Sequence, residues 1–76
     1  MHIGKEIHQE LKRQGRTVVW FAEHMCCDRS TAYEIFKKET IDTGQLIRIS
    51  LLLKKNFLES LMKEIDSDLG KYPTNM

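Results

Sequence analysis

Apolar residues recur along this chain at the spacing of helix faces. Ile3, Ile7 and Leu11 stand at positions i, i+4 and i+8, and Gly15 follows them as a candidate helix C-cap. Thr17 is a candidate N-cap for a second helix, because its hydroxyl can accept a hydrogen bond from an amide of the first turn. The apolar stripe of that second helix would consist of Val18, Phe21, Ala22 and Met25.

Three further helices are predicted, each preceded by a side chain that can cap it. Asp28, Asp42 and Asn56 stand at the cap positions, and Gln45 and Glu59 follow the last two at capping-box spacing. No strand alternation competes, so the pattern predicts an all-α, compact bundle of about five short helices with a central helix-turn-helix. The residues expected to face the core are Ala32, Ile35 and Phe36, then Leu46, Ile49, Ser50 and Leu53, and finally Phe57, Leu61 and Ile65.

The length of 76 residues fits one domain, predicted over residues 1–66, with a polar C-terminal tail over residues 67–76. A domain of this size has no room for a large enclosed active site. The chain shows no Ser–His–Asp set, no carboxylate pair and no phosphate-binding glycine loop at useful spacing, so neither an enzyme nor a cofactor is expected. Cys26, Cys27 and nearby His24 fall short of about four zinc ligands, so no metal is expected.

The longest apolar run, residues 18–22, is far shorter than the ~20 residues of a membrane span. The N-terminus lacks the basic and apolar regions of a secretory signal peptide. Adjacent cysteines are poorly placed to bridge each other and cannot staple distant segments. These features predict a cytoplasmic protein with reduced thiols and no membrane partner.

The connection between the second and third helices is very short, running from Met25 to Asp28. Helices joined this tightly cross at a steep angle, as in a helix-turn-helix, whose second helix can enter a major groove about 12 Å wide. The outward side of the third helix would then contact bases, and an arginine at its start could pair with guanine O6 and N7. The predicted base contacts are Arg29, Ser30, Tyr33 and Glu34.

Several of these residues also have ordinary structural interpretations. Arg29 could be a solvated surface residue, Tyr33 could pack on a neighbouring loop, and Glu34 could pair with Lys37 or Lys38 instead of a cytosine amino group. The lysines could serve solubility alone. The predicted phosphate contacts around the same helices are Arg16, Thr17, Thr31, Lys37 and Lys38.

The formal net charge of +1 does not by itself indicate nucleic acid, but its distribution is uneven. Residues 1–16 and 41–56 each carry +2, residues 17–40 carry −1, and residues 57–76 carry −2. Because phosphate contacts supply most of the non-specific affinity for DNA, basic segments that flank the second and third helices favour a DNA-binding surface there.

The stretch over residues 17–36, TVVWFAEHMCCDRSTAYEIF, resembles the helix-turn-helix of the lambda-repressor-like family, which includes phage repressors and Cro-type regulators. Ala22 matches the small residue where the two helices touch, Met25 the usual leucine before the turn, and Ile35 a core position. The stretch over residues 44–61, GQLIRISLLLKKNFLESL, is similar to the family's closing helices. The resemblance covers residues 3–62 and implies a double-stranded DNA-binding transcriptional regulator, often dimeric.

Three residues depart from the family pattern. Cys26 occupies the turn position where the family prefers glycine because φ is often positive, and a non-glycine residue there costs about 1 kcal/mol. Val18 replaces a polar, phosphate-binding residue at the start of the second helix, and Ala32 is smaller than the usual Val or Ile.

Trp20 lies opposite the inward stripe of its helix, where another helix covers it or it is exposed.

The last two helices carry more apolar residues than one inward face needs. Ile47 and Leu51 lie off the main stripe of the fourth helix, and Leu58 and Met62 broaden the apolar face of the fifth. This surplus predicts a homodimer through these helices, although short helices in a small core could also bury two faces each.

Two other functions remain open at this stage. The near-neutral charge and the four acids of residues 17–40 favour a protein-interaction module on the same fold, either an antitoxin-like partner or an accessory factor. A non-specific architectural DNA binder would show salt-dependent binding without sequence preference, and the modest basic charge argues against it.

Overall fold

A computed structural model describes residues 1–70 of the chain and contains, within that range, α-helices and no strand. The predicted all-α class with five short helices is thereby confirmed. None of these helices combines the length and the apolar character that crossing a membrane requires. In chain order the helices are α1 (Ile3–Arg13), α2 (Val18–His24), α3 (Arg29–Lys37), α4 (Thr43–Leu53) and α5 (Leu58–Leu69).

Side-chain caps begin α2, α3 and α4 at the three positions predicted for them. Each cap satisfies one of the four amides that the start of a helix leaves without an intrahelical partner. The C-cap of α1 is Gln14, and Gly15, the predicted C-cap, follows it with φ of 71°. The pairs of cap oxygen and amide nitrogen are Thr17 and Trp20 at 3.0 Å, Asp28 and Thr31 at 2.8 Å, and Asp42 and Gln45 at 2.7 Å.

α5 differs from the prediction at both of its ends. Asn56 accepts a hydrogen bond from the amide of Leu58 at 3.0 Å, but Phe57 stands at the N-cap position and provides no side-chain cap. The helix continues to Leu69, so the predicted boundary after residue 66 falls inside it. The remainder of the predicted tail, residues 71–76, lies outside the described residues.

The core is built by the inward stripes of α1 to α4 together with Phe57. The predicted inward residues of α3 and α4 are buried, apart from Ser50, which is half-buried. α5 contributes no buried residue: Leu61 is half-buried, and the prediction that Ile65 faces the core is wrong, since Ile65 is 57% exposed. Phe57, fully buried just before the helix, occupies the core position, and the core does not extend as far along α5 as Ile65.

α1 and α3 meet through their backbones. The amide of Gly4 donates to the carbonyl of Lys38 at 2.9 Å, and the amide of Ile3 donates to the carbonyl of Glu39 at 3.1 Å. The first amides of α1 thus satisfy carbonyls just beyond the end of α3. A Cβ at Gly4 would lie 2.3 Å from the Phe36 carbonyl oxygen, so only glycine permits this approach. The contact fixes α3 relative to the rest of the core.

Glu10 is a buried carboxylate, only 3% exposed, that links α1 to the end of α4. Its oxygens accept hydrogen bonds from Arg13 Nε at 2.9 Å and Gln14 Nε2 at 2.7 Å, and Lys55 Nζ lies 3.5 Å away. Gln14 Nε2 also donates to the carbonyl of Leu53 at 2.6 Å. The hydrogen bond from Arg13 is the largest influence, and with the other partners it outweighs burial and lowers the pKa of Glu10 to about 2.

We expect Glu10→Gln to lower the free energy of unfolding by about 2 kcal/mol at pH 7, because charge-assisted hydrogen bonds are lost. The native pKa of Glu10 lies below its ordinary value of 4.5. Its contribution is therefore complete above pH 4.5 and is lost as the pH falls toward 2.

Urea unfolding measured from pH 7 down to pH 2 checks this expectation. The stabilities of the wild type and Glu10→Gln should converge at the acidic end, since the variant lacks the titrating group. The exposed Glu23 provides the control, and Glu23→Gln should change the stability by less than about 0.5 kcal/mol throughout. A difference between wild type and Glu10→Gln that stayed constant over the whole range would contradict the role given to this carboxylate.

Candidate nucleic-acid interface

The connection between α2 and α3, residues 25–28, is a tight turn built around Cys26. Cys26 has φ of 56°, in the left-handed region, as the family's preference for glycine at this position predicts. Its amide donates to the carbonyl of Glu23 at 3.2 Å. The turn brings the two helices into contact, and the rings of Phe21 and Phe36 pack with their centroids 5.2 Å apart. The sequence therefore forms a helix-turn-helix, with α3 as its second helix.

α3 buries the three residues predicted to face inward and leaves the opposite side to solvent. Tyr33 is 47% exposed while its ring packs edge-on against Phe36, with centroids 6.1 Å apart, so the core supports the phenol from below. Within residues 1–70, no side-chain hydrogen bond or ion pair involves Arg29, Ser30 or Glu34, and Glu34 does not pair with a lysine. The four predicted base contacts, Arg29, Ser30, Tyr33 and Glu34, are all exposed on this side.

The first turn of α3 is organised by its cap. Hydrogen bonds from the amide and the side chain of Thr31 lower the pKa of Asp28, which keeps the carboxylate ionised. Thr31, a predicted phosphate contact, is exposed but takes part in this cap. Asp28 also lies next to Arg29 in the chain. The start of α3 thus presents the Arg29 side chain beside the negative charge of Asp28. Because this carboxylate repels phosphates, contact with base edges is favoured over contact with the DNA backbone.

The other end of α3 carries two of the predicted phosphate contacts. Lys37 lies in the last turn and Lys38 at the C-cap, and both are exposed. A helix rises 1.5 Å per residue, so Lys37 lies roughly 12 Å along the axis from Arg29, about the width of a major groove. A helix of this length can place base contacts at one end and backbone contacts at the other.

The remaining predicted phosphate contacts, Arg16 and Thr17, precede α2. Thr17 Oγ1 accepts the hydrogen bond that caps the helix, and the residue is exposed. The guanidinium carbon of Arg16 lies 4.3 Å from the ring centroid of Trp20. Trp20 is half-buried against the core, and its ring also packs on that of His24 at 4.4 Å. The sequence left the position of this tryptophan open. In the structure its ring lies between the core and the exposed side chains of Arg16 and His24.

Part of the positive charge flanking the helix-turn-helix is used inside the protein. Arg13 and Lys55 both lie against the Glu10 carboxylate. The two +2 segments therefore present less unpaired positive charge than the sequence suggests. Glu10 was not predicted, although the sequence carries a signal for it: on a helix it falls on the same side as Ile3 and Ile7, within the apolar stripe.

The two thiols of the turn differ in their surroundings. Cys26 is exposed and Cys27 is half-buried, and burial, aided by the nearby Asp28 carboxylate, raises the pKa of the Cys27 thiol. The Cys27 thiol is therefore protonated at neutral pH. In the part of the chain that the structure describes, no three His, Cys, Asp or Glu side chains are grouped so that they could hold a metal ion.

A second surface consists of exposed apolar side chains on α4 and α5, which we call the α4–α5 apolar face. The spacing of its α5 members, at 58, 62, 65 and 69, follows one stripe along the helix. A groove of about 390 Å³ opens on this face between its α4 members and Leu58, and Lys54 and Lys55 line its edge. The members of the face are Ile47, Leu51, Leu58, Met62, Ile65 and Leu69.

Comparison of the chain with protein-family models, curated proteins and solved structures finds no match. A functional interpretation therefore depends on the two surfaces of the molecule itself. One is the outward side of α3 with the residues that flank it, and the other is the α4–α5 apolar face. The first is polar and carries unpaired donors and acceptors, whereas the second is apolar, so the two surfaces suit different partners.

Proposed function

We propose that this protein is a sequence-specific double-stranded DNA-binding protein, a small repressor-like transcriptional regulator of the lambda-repressor-like kind. It acts as a binding protein in the cytoplasm rather than as an enzyme. The observation that carries the proposal is the helix-turn-helix formed by α2, the left-handed turn at Cys26 and α3. Such a motif inserts its second helix into the major groove.

The exposed side of α3 offers the chemistry that base recognition needs. Arg29 is the first residue of α3, the end that meets the bases in this docking mode, and its guanidinium can pair with guanine O6 and N7. Ser30 can donate or accept, and Glu34 can accept from a cytosine amino group. Tyr33, supported by Phe36, can reach a base or a phosphate. These side chains have no partner inside the described protein that a base would have to displace, apart from the Phe36 ring beneath Tyr33.

The proposal includes a homodimer through the α4–α5 apolar face. α5 buries none of its residues in the monomer, and a 12-residue helix is marginal in water without tertiary packing. The apolar face on one chain is complementary in chemistry to the same face on a second copy of the chain. Lys54, the exposed C-cap of α4, precedes the start of α5, and Asp66 lies near the end of α5, so two antiparallel α5 helices bring these opposite charges toward each other. A two-fold dimer would present two α3 helices to half-sites about 34 Å apart.

Arg29→Ala tests the proposed base contact. Duplexes selected from a random pool define the preferred site, and fluorescence anisotropy then compares the selected and the scrambled duplex. We expect the variant to lose about 1–3 kcal/mol of binding free energy on the selected duplex and to relax its preference at one base position. Lys63→Ala, which removes an exposed basic side chain from α5, should leave the affinities for the selected and the scrambled duplex nearly unchanged. Equal affinity of the wild type for both duplexes, unaltered in Arg29→Ala, would contradict specific recognition.

A protein-interaction module on the same fold is the second candidate, and the α4–α5 apolar face is the observation that favours it. The salt dependence of duplex binding separates the two functions. Real phosphate contacts make affinity fall steeply with salt. An absence of duplex binding at about 50 mM salt, where electrostatic binding is strong, would favour the interaction module.

A further inference from the structure

Arg16 is a cation that is held in place without being neutralised. Its guanidinium carbon lies 4.3 Å from the centroid of the Trp20 ring, within the range of a cation–π contact. In residues 1–70, no carboxylate forms an ion pair with it. Arg13, three residues earlier, differs in this respect because its guanidinium is paired with the Glu10 carboxylate. Arg16 therefore keeps its full charge for a partner outside the described protein.

The Trp20 ring beneath the Arg16 guanidinium is held by contacts on two sides. Trp20 is half-buried and packs against the core on one side. Its ring also packs on His24, with centroids 4.4 Å apart, and His24 Nδ1 lies 2.9 Å from the Trp20 carbonyl oxygen. Trp20 and His24 lie four residues apart on α2, and Arg16 precedes the helix, just before its cap Thr17. An exposed arginine side chain is ordinarily mobile, whereas this one rests on an anchored ring.

We infer that Trp20 is a positioning residue that holds the Arg16 guanidinium for a bidentate contact with a backbone phosphate of duplex DNA. The inference rests on the proposed function. A guanidinium held over a ring by its charge keeps N–H donors for a further partner, and two such donors can bind a phosphate in a bidentate manner. The cation–π contact also removes side-chain freedom before binding, so less entropy remains to be lost when the phosphate is bound.

This assignment also accounts for a departure from the family pattern. Val18 stands where a polar, phosphate-binding residue is usual, and it is half-buried against the core. Val18 has no polar side-chain atom with which to bind an anion. Arg16, two residues earlier, supplies the missing polar group from its side chain, while Thr17 keeps its role as the cap.

A double-mutant cycle tests the inference, with duplex affinity measured by anisotropy from about 50 to 300 mM salt. We expect Arg16→Ala to lower affinity roughly tenfold and to reduce the slope of log K against log salt by about one. Trp20→Leu should lower affinity about two- to fivefold with Arg16 present, as an exposed cation–π pair implies, and should have no further effect in the Arg16→Ala protein. Trp20→Phe, which keeps a ring, should recover most of the loss.

Two controls keep the outcome decisive. Lys12→Ala removes an exposed basic side chain that makes no cation–π contact within residues 1–70, and its effect should add to that of Trp20→Leu without coupling. Trp20 is the single tryptophan of the chain, so its emission reports on the site in proteins that keep it. Duplex should change the emission of the wild type and change that of Arg16→Ala much less, whether or not Trp20→Leu folds.

Each negative outcome has a separate meaning. If the wild type binds no duplex, the proposed function fails and this inference fails with it. If the wild type binds but Arg16→Ala keeps the same affinity and salt slope, only this inference is overturned. If Trp20→Leu weakens binding equally with and without Arg16, Trp20 acts through the fold and does not position the arginine.

Discussion

We expect Gly4→Ala to lower the melting temperature by roughly 10–20 °C, although alanine is the better helix former by about 1 kcal/mol. A Cβ at residue 4 would lie 2.3 Å from the carbonyl oxygen of Phe36 and 2.6 Å from that of Ile35. Both are backbone atoms and cannot rotate away as a side chain would. α1 and α3 must therefore separate, which weakens the hydrogen bond from Gly4 to Lys38 and costs about 2–3 kcal/mol.

Gly70→Ala provides the matched control for this substitution. Gly70 has φ of −67°, and a Cβ there would lie 3.5 Å from the Ser67 carbonyl oxygen, an ordinary contact. Thermal melts followed by circular dichroism should therefore leave Gly70→Ala close to the wild type. A Gly4→Ala protein that also melted within a few degrees of the wild type would contradict the close backbone contact between α1 and α3.

The parts of the fold that depend on neighbours in sequence could be predicted. Asp28 and Asp42 act on amides three residues away, and the inward stripes of α1 to α4 follow from helical periodicity. The role of Gly4 could not be predicted in this way, because the atoms that exclude a Cβ belong to residues 35 and 36, in another helix. A glycine near the start of a helix looks unremarkable until the element packed against it is known.

Two features of the structure could not be predicted, because contacts between distant parts of the chain decide them. α5 is apolar over more than one side, and periodicity alone cannot decide which side meets the core. In the structure Phe57, just before the helix, is fully buried, whereas Ile65 is 57% exposed. Glu10 lies within an apolar stripe, yet its partner Lys55 is 45 residues away, and only the folded chain brings them together.

The candidate DNA surface was predictable to the same degree. The helical wheel gave the outward residues of α3, and the family resemblance gave the left-handed turn at Cys26. The structure adds which of these groups are already engaged. Thr17 and Thr31 serve caps, whereas Arg29 has no side-chain partner within the described residues. Contacts of this kind separate a side chain available to DNA from one that already serves the fold.

Ile65→Glu is expected to convert the proposed dimer to a monomer and to weaken binding to a full palindromic site on the order of a hundredfold. Ile65 is 57% exposed and takes no part in the core, so the substitution should leave the monomer folded. In the dimer it would place a charge within the α4–α5 apolar face, where it would be desolvated without a partner. Losing the link between two half-sites removes the avidity of the pair, an effect of about 10²–10⁴ in affinity.

Sedimentation and anisotropy together distinguish this interface from the surface that contacts bases. Ser67→Glu adds the same charge to an exposed position of α5 that lies off the apolar stripe, and it should remain dimeric with unchanged affinity. Binding to a duplex with one half-site should be equal in the wild type and Ile65→Glu, because each α3 is untouched. The proposed dimer would be contradicted by a wild type that sediments as a monomer at a protein concentration about 100-fold above its dissociation constant for DNA. At that concentration the protein would then bind DNA without first forming a dimer. A loss of half-site affinity in Ile65→Glu would instead show that α5 supports the fold of α3, because a pure linkage effect acts only where two sites are joined.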